Sequence, residues 1–276
     1  MHRRHFIATI SVFLAGCDSG QSWFGPDRRG AARALYERAA QRDLDAIQAL
    51  NAVSDTSDPF AKFYAALMLQ KGYAQLNNTR AMQLYTQIRE RFLGAQFNLA
   101  LLLIAAPKQV PAGLPPLEQL LAEAADRGRV EPMLVLARLY ERGQAGQAVN
   151  TALAIEWYER AITHAKDPRA ELRLGALLQD GPRRADAYAL LMSAAKAGYA
   201  EAQYRLAFME TDPLASRRWL VVAAVNDKTY ARPAAQGLAQ LAPGDAFETE
   251  RQARMWAHAH RKTNELQPFD SPFEEP

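Results

Sequence analysis

The chain has 276 residues, 49% of them hydrophobic, enough to bury a substantial core in one elongated domain or two compact ones. Lys+Arg total 33 against 30 Asp+Glu, and basic pairs such as Arg183-Arg184 and Arg217-Arg218 are scattered among acids. That lacks the one-sided basic surface a nucleic-acid binder needs, and it excludes a charge-driven nucleic-acid role.

The first segment in chain order is a basic stretch, Met1 to His5, then an apolar run from Phe6 to Leu14, then Leu14-Ala15-Gly16-Cys17. The apolar run is too short for a permanent membrane span but suits a cleavable signal. The segment resembles the lipobox of bacterial lipoproteins. The resemblance implies cleavage between Gly16 and Cys17, removal of residues 1–16, and acylation of Cys17 by diacylglycerol and an amide-linked palmitate-type chain. Losing Arg3 and Arg4 leaves 31 Lys+Arg against 30 Asp+Glu, a nearly neutral mature protein. Cys17 is the only cysteine, so no disulfide is available and stability rests on packing. Several acyl chains anchor a protein stably where one is marginal. By the same resemblance the chain faces the periplasm, and Asp18 favours retention at the inner membrane.

Residues 17–27 read as the lipidated cysteine and a polar Gly/Pro-containing tether, with Trp23 either at headgroup level or simply exposed. A folded helical domain is expected over 28–261. With Ala and Leu dominant and only 15 Gly, no strand-like alternation competes.

The domain contains a recurrent half-repeat, A-x-x-x-L-(A/G)-x-x-(Y/L)-x-x-G. Its sharpest copies are Pro132-Leu136-Ala137-Tyr140-Gly143 and Ala170-Leu174-Gly175-Leu178-Gly181. Weaker copies open at Ala61, Ala95, Ala202 and Ala234, so successive starts are 34, 37, 38, 32 and 32 residues apart. Each is followed by A-x-x-(W/L)-(Y/L)-x-x-A-(A/I), as in Ala154-Trp157-Tyr158-Ala161-Ile162, or around Leu84-Tyr85, Leu190-Leu191, Trp219-Leu220 and Trp256-Ala257. Leu35-Tyr36-Ala39-Ala40 reads as an isolated second helix capping the array.

The four-residue spacing puts the small residue and Leu on one helical stripe, the next small residue admits a neighbouring helix, and the terminal Gly supplies positive φ. Pro213 and Ala106 stand where two copies would carry that Gly. No single hairpin buries both faces, so several must stack. The pattern resembles the Sel-one-like repeat (SLR) family of tetratricopeptide-like proteins over about residues 61–261. That implies an all-α, right-handed α-α solenoid whose first helices line a concave groove.

No chemistry motif interrupts this pattern. G-x-S-x-G, H-E-x-x-H, C-x-x-C and a Walker-type loop are all lacking in the sequence. His258 and His260 sit two apart on an expected helix and point about 200° from each other, unsuited to one metal. His164 is isolated, and Asp43/Asp45 and Glu274/Glu275 read as solvated carboxylates. No metal, cofactor or catalytic residue is expected, and the chain is not expected to be an enzyme. Trp157, Trp219 and Trp256 share a repeat position and read as core.

Groove-facing candidates from the repeat register are Lys62, Tyr64, Asn98, Arg138, Arg173, Gln203 and Arg205. The resemblance implies a membrane-anchored scaffold or adaptor that binds a protein or peptide partner in the cell envelope. The alternative is a periplasmic immunity protein, and a β-lactamase-like hydrolase is less expected, because such SLR proteins depend on a disulfide per repeat. Residues 262–276, with Pro268-Phe269 and Pro272-Phe273 amid acids, lack helical periodicity and are expected to be a disordered tail, the other reading being a docking peptide.

Overall fold

The computed structural model describes residues 27–107, 110–241 and 246–259, and among these it contains fourteen α-helices and no strand. The leader, Cys17, the tether, Trp23, His260 and the tail from Lys262 all lie outside the described residues. The chain gathers into two compact units dividing between Arg127 and Gly128.

The first unit contains α1 (Arg28–Ala40), α2 (Leu44–Ser54), α3 (Pro59–Lys71), α4 (Asn78–Ile88), α5 (Leu93–Ala105) and α6 (Leu117–Asp126). Here α1 packs on α2 and α3, α3 on α4, α4 on α5, and α5 on α6. The second unit holds α7 (Val130–Arg142), α8 (Thr151–Ala165), α9 (Pro168–Leu178), α10 (Arg184–Lys196), α11 (Ala200–Met209), α12 (Pro213–Asn226), α13 (Ala231–Gln240) and α14 (Ala246–Ala259). Each helix from α7 to α12 packs on the next, and α12 also holds α13 and α14. In both units the half-repeats are the first helices of hairpins (α3, α5, α7, α9, α11, α13) and the following pattern forms the second helices.

Local chemistry sets the boundaries. Asp58-Pro59, Asp167-Pro168 and Asp212-Pro213 each open a helix: the aspartate accepts backbone N–H bonds and proline, lacking an N–H, takes the first turn at no cost. Pro213 is therefore the start of a second helix and not a substitute for a terminating glycine. Gly72 and Gly143 do end their helices with φ of 68° and 64°. Gly181 does not: α9 ends at Leu178 in an ordinary right-handed turn. Helix α2 has no counterpart in the repeat pattern. Asp43 caps it, accepting from the amides of Asp45 and Ala46, and the Arg38 guanidinium holds the Asp43 carboxyl below its usual range.

The apolar stripes meet inside each hairpin. Leu67, Leu84, Leu99 and Leu120 in the first unit, and Leu134, Leu191, Leu206 and Leu220 in the second, are fully enclosed. Each such side chain contributes about 1.5–3 kcal/mol relative to exposure. The enclosed aromatic of the best second helix is Tyr158, not its neighbour Trp157, which is half-buried with the Arg160 guanidinium 4.2 Å above its ring. Trp219 and Trp256 are half-buried too and meet edge to face at 6.2 Å. The sequence expectation of a core position is thus met by all three indoles only in part.

Candidate functional site

Six of the seven candidate residues fall at two recurring positions of the first helix, and the two positions do different things. Lys62 and Gln203 come one residue after the opening small residue, as does Gln96. Tyr64, Asn98, Arg173 and Arg205 come three after it. Two residues on a helix are about 200° apart, so these sets face opposite neighbours.

The first position reaches the second helix of the same hairpin. The Lys62 ammonium donates to the Gln87 side chain on α4. The Gln96 amide donates to the Leu120 carbonyl and to Glu123 on α6, at 3.0 Å each. The Gln203 carbonyl oxygen accepts from Asn226 on α12 at 2.9 Å, while its amide donates to the Ala195 carbonyl. Gln96 and Gln203 are buried, so these bonds satisfy polar groups that would otherwise be costly to enclose.

The second position reaches back to the preceding first helix and forms a rung. On α5 the Asn98 amide donates to the Tyr85 hydroxyl at 3.1 Å, which donates to Gln70 on α3 at 3.0 Å. On α9 the Arg173 guanidinium pairs with Glu141 on α7, which accepts from the Tyr158 hydroxyl at 2.7 Å. On α11 Arg205 donates to Gln179, just beyond α9, at 3.3 Å. Gln70, Glu141 and Gln179 all lie nine residues after their own opening residue, so one geometry recurs three times. Tyr64 takes the equivalent place on α3 and packs on Tyr36 of α1 with ring centroids 5.6 Å apart.

Tyr64, Asn98 and Gln203 are wholly enclosed and present nothing to a partner, correcting their assignment to the groove surface. The register identified the polar positions, but a first helix flanked on both sides buries them. Arg173 and Arg205 stay partly exposed and tied up: Glu201 lies 3.5 Å from Arg173 and 2.8 Å from Arg205, joining two rungs. Burial works against the charge on Arg173, but the hydrogen bond and charge of Glu141, with Glu201 behind, outweigh it and raise its pKa. Burial first, then Glu141, pushes the Tyr158 hydroxyl well above the ordinary phenol range. Arg138 on α7 is half-buried.

What stays open lies beside the last rung. Phe208 on α11 is 55% exposed, stacked edge to face on Tyr204 at 5.0 Å, and Tyr204 in turn lies 5.3 Å from Tyr230. These rings, with Arg205, Glu201, Arg184 and Asp180, line a cleft of about 460 Å³. Only Arg205 of this group was expected from the sequence. The signal for the rest was an aromatic pair four residues apart on α11, Tyr204 and Phe208, at positions where the other copies do not repeat it.

Among the described residues no group of three or more His, Cys, Asp or Glu converges on a metal-sized site, and no helix is long and apolar enough to cross a membrane. His164 meets the Gly128 carbonyl at 2.7 Å and His258 is exposed.

Hairpins with a small-residue stripe, stacked through their first helices, define an all-α helical-repeat protein. Comparison with solved structures specifies the repeat type: the chain has the Sel1-repeat (SLR) fold. It aligns with a Sel1 repeat protein from Oxalobacter formigenes at TM-score 0.62 and 22% identity, over 83% of this chain and 98% of that one. It also aligns with an SLR-fold protective antigen of uropathogenic Escherichia coli at TM-score 0.51 and 17% identity. That alignment covers 93% of this chain but spans 64% of the length of the antigen. No protein-family model and no curated protein matches the sequence.

Proposed function

We propose that the chain is a non-catalytic scaffold anchored through acylated Cys17 on the periplasmic side of the cell envelope, binding a peptide segment of a partner protein along α9 and α11. The carrying observation is Phe208: a large aromatic exposed beside Tyr204 and Tyr230, where the rungs have consumed the neighbouring charges. Exposed aromatic anchors ringed by polar groups are where binding energy concentrates in interfaces. Helical-repeat folds present such extended faces to partners, which supports an adaptor role. The lipobox-like segment supports the location.

A photo-crosslinking side chain at position 208 tests this directly in membranes. A discrete protein adduct is expected from position 208 and not from Glu156 on the exposed side of α8, and Tyr204→Ala should remove it while leaving the fold intact. Equal labelling from both positions would show that the α11 face has no partner.

A further inference from the structure

Glu210, which directly follows α11, anchors two aromatic rings with a single oxygen. Its Oε1 accepts from the Tyr188 hydroxyl of α10 at 2.9 Å and from the Trp219 indole N–H of α12 at 3.2 Å. No described residue donates to its second oxygen. On α14, Trp256 meets Trp219 with ring centroids 6.2 Å apart and ring planes at 82°. Rings touching edge to face leave no slot between them; they make a right-angled corner in which each turns part of a face outward. That corner, Tyr188 and Glu210 line a cleft of about 610 Å³ within the second unit.

Ring faces gathered beside a carboxylate suit a large, weakly hydrated cation. The faces are the negative part of the ring quadrupole, and donating an O–H and an N–H to a carboxylate pushes more electron density into them. An ammonium with its own N–H groups gains less, because ring carbon does not replace the water it sheds. The rim of the cleft has the opposite sign. Lys196, two turns beyond Tyr188 on α10, is exposed with no ion-pair partner among the described residues. Arg218, directly before Trp219, reaches Asp212 only at 4.0 Å with both side chains more than half exposed. So loose a pair leaves most of the guanidinium field available. These two cations repel a ligand that is only a cation, and they hold one that carries an anion beside its cation. We propose that the cleft binds a zwitterion of the phosphocholine type. Its quaternary nitrogen lies against the corner and Tyr188, near the open oxygen of Glu210, and its phosphate at Lys196 and Arg218. The partner-binding reading of the α11 face does not enter this inference, because the two clefts share no lining residue.

Calorimetric titration of the full chain with phosphocholine tests the site. Saturable binding is expected, with phosphoethanolamine, which keeps N–H groups, and choline, which lacks the anion, each about tenfold weaker. Glu210→Gln keeps an acceptor for both rings and removes the charge, and should weaken phosphocholine about tenfold. Arg218→Ala, at an exposed position, should abolish the preference for phosphocholine over choline without weakening choline. Circular dichroism should report unchanged helix content in both variants. A water-soluble short-chain phosphatidylcholine distinguishes the two sources of this chemistry: tighter binding than phosphocholine assigns a lipid headgroup, and equal or weaker binding a free solute, either one consistent with the site. Absence of saturable phosphocholine binding, phosphoethanolamine binding as tightly as phosphocholine, or an Arg218→Ala variant that retains the preference over choline would each overturn the proposal.

Discussion

Tyr85 in the first unit and Tyr158 in the second occupy the same repeat position and bond to the same place on their hairpin partner, yet they end in opposite environments. Tyr85 closes a neutral circuit: its hydroxyl donates to Gln70 and accepts from Asn98, which is itself fully enclosed. Tyr158 donates to Glu141, which pairs with Arg173, and that pair continues through Glu201 to Arg205 at the surface. One scaffold geometry thus carries either a sealed amide network or a ladder of charges, depending on whether the rung is Gln–Asn or Glu–Arg. The charged form is the one next to the open aromatic cleft.

Replacing either tyrosine by alanine should have the largest effect, about 3–5 kcal/mol by urea denaturation, since both rings are fully enclosed. Trp157→Ala should cost clearly less, about 1–2 kcal/mol, because that ring is half-exposed and its Arg160 contact is of the weak exposed kind. A larger loss at Trp157 than at Tyr158 would mean that the two side chains exchange places.

The next contrast concerns how closely helices approach. Gly175 on α9 takes the place that Ala66 and Ala100 hold on α3 and α5. A methyl group there would lie 2.7 Å from Leu191 Cγ and 3.2 Å from the Ala187 carbonyl. Gly175→Ala is expected to destabilise by about 1–3 kcal/mol through overpacking, whereas Ala66→Gly should lose about 1 kcal/mol of helix propensity. Thermal melts of the two variants measure both; a stabilising Gly175→Ala would place α10 further away.

Hydroxyl removal separates the rungs more finely. Tyr85→Phe removes a buried hydroxyl that both accepts from Asn98 and donates to Gln70 and should cost about 1–3 kcal/mol, while Tyr158→Phe leaves Glu141 paired with Arg173 and should cost about 0.5–1 kcal/mol. Adding Asn98→Leu to Tyr85→Phe should recover part of the loss, and no recovery would break the circuit described here. Smallest of all is a pH effect. The Glu248 carboxyl at the start of α14 is held down to about 2 from 4.5 by the Arg251 guanidinium and then the Gln252 amide. Its contribution is complete above pH 4.5 and lost as pH falls toward 2, so Glu248→Gln should flatten a small decline in melting temperature across that window.

Much of the architecture was legible because most first helices place Ala, Leu and a small residue at fixed spacing, a pattern that stacked hairpins bury. Helix α2 was not, since Ala46 and Leu50 carry the spacing but Asn51 follows them, where every other copy has Ala or Gly. The site was legible in its positions and illegible in its exposure. Tyr64, Asn98, Arg173 and Arg205 share a register, but whether that register is surface or core depends on the helix beside it. Polarity alone misled: enclosed Asn98 and Gln203 are as polar as half-open Arg205, and the exposed anchor, Phe208, is apolar.

The rungs also govern where the repeat can change length. Their partners are separated by whole hairpins, through connections that make successive repeats 32 to 38 residues long, and the side chains still meet. Inside a first helix the tolerance vanishes, because one inserted residue turns everything beyond it by about 100° and removes both bonding positions at once. Insertional drift is thereby confined to the connections, and a peptide grafted into the turn at Gln144–Val149 should leave every rung in register, whereas the same graft within α9 should not.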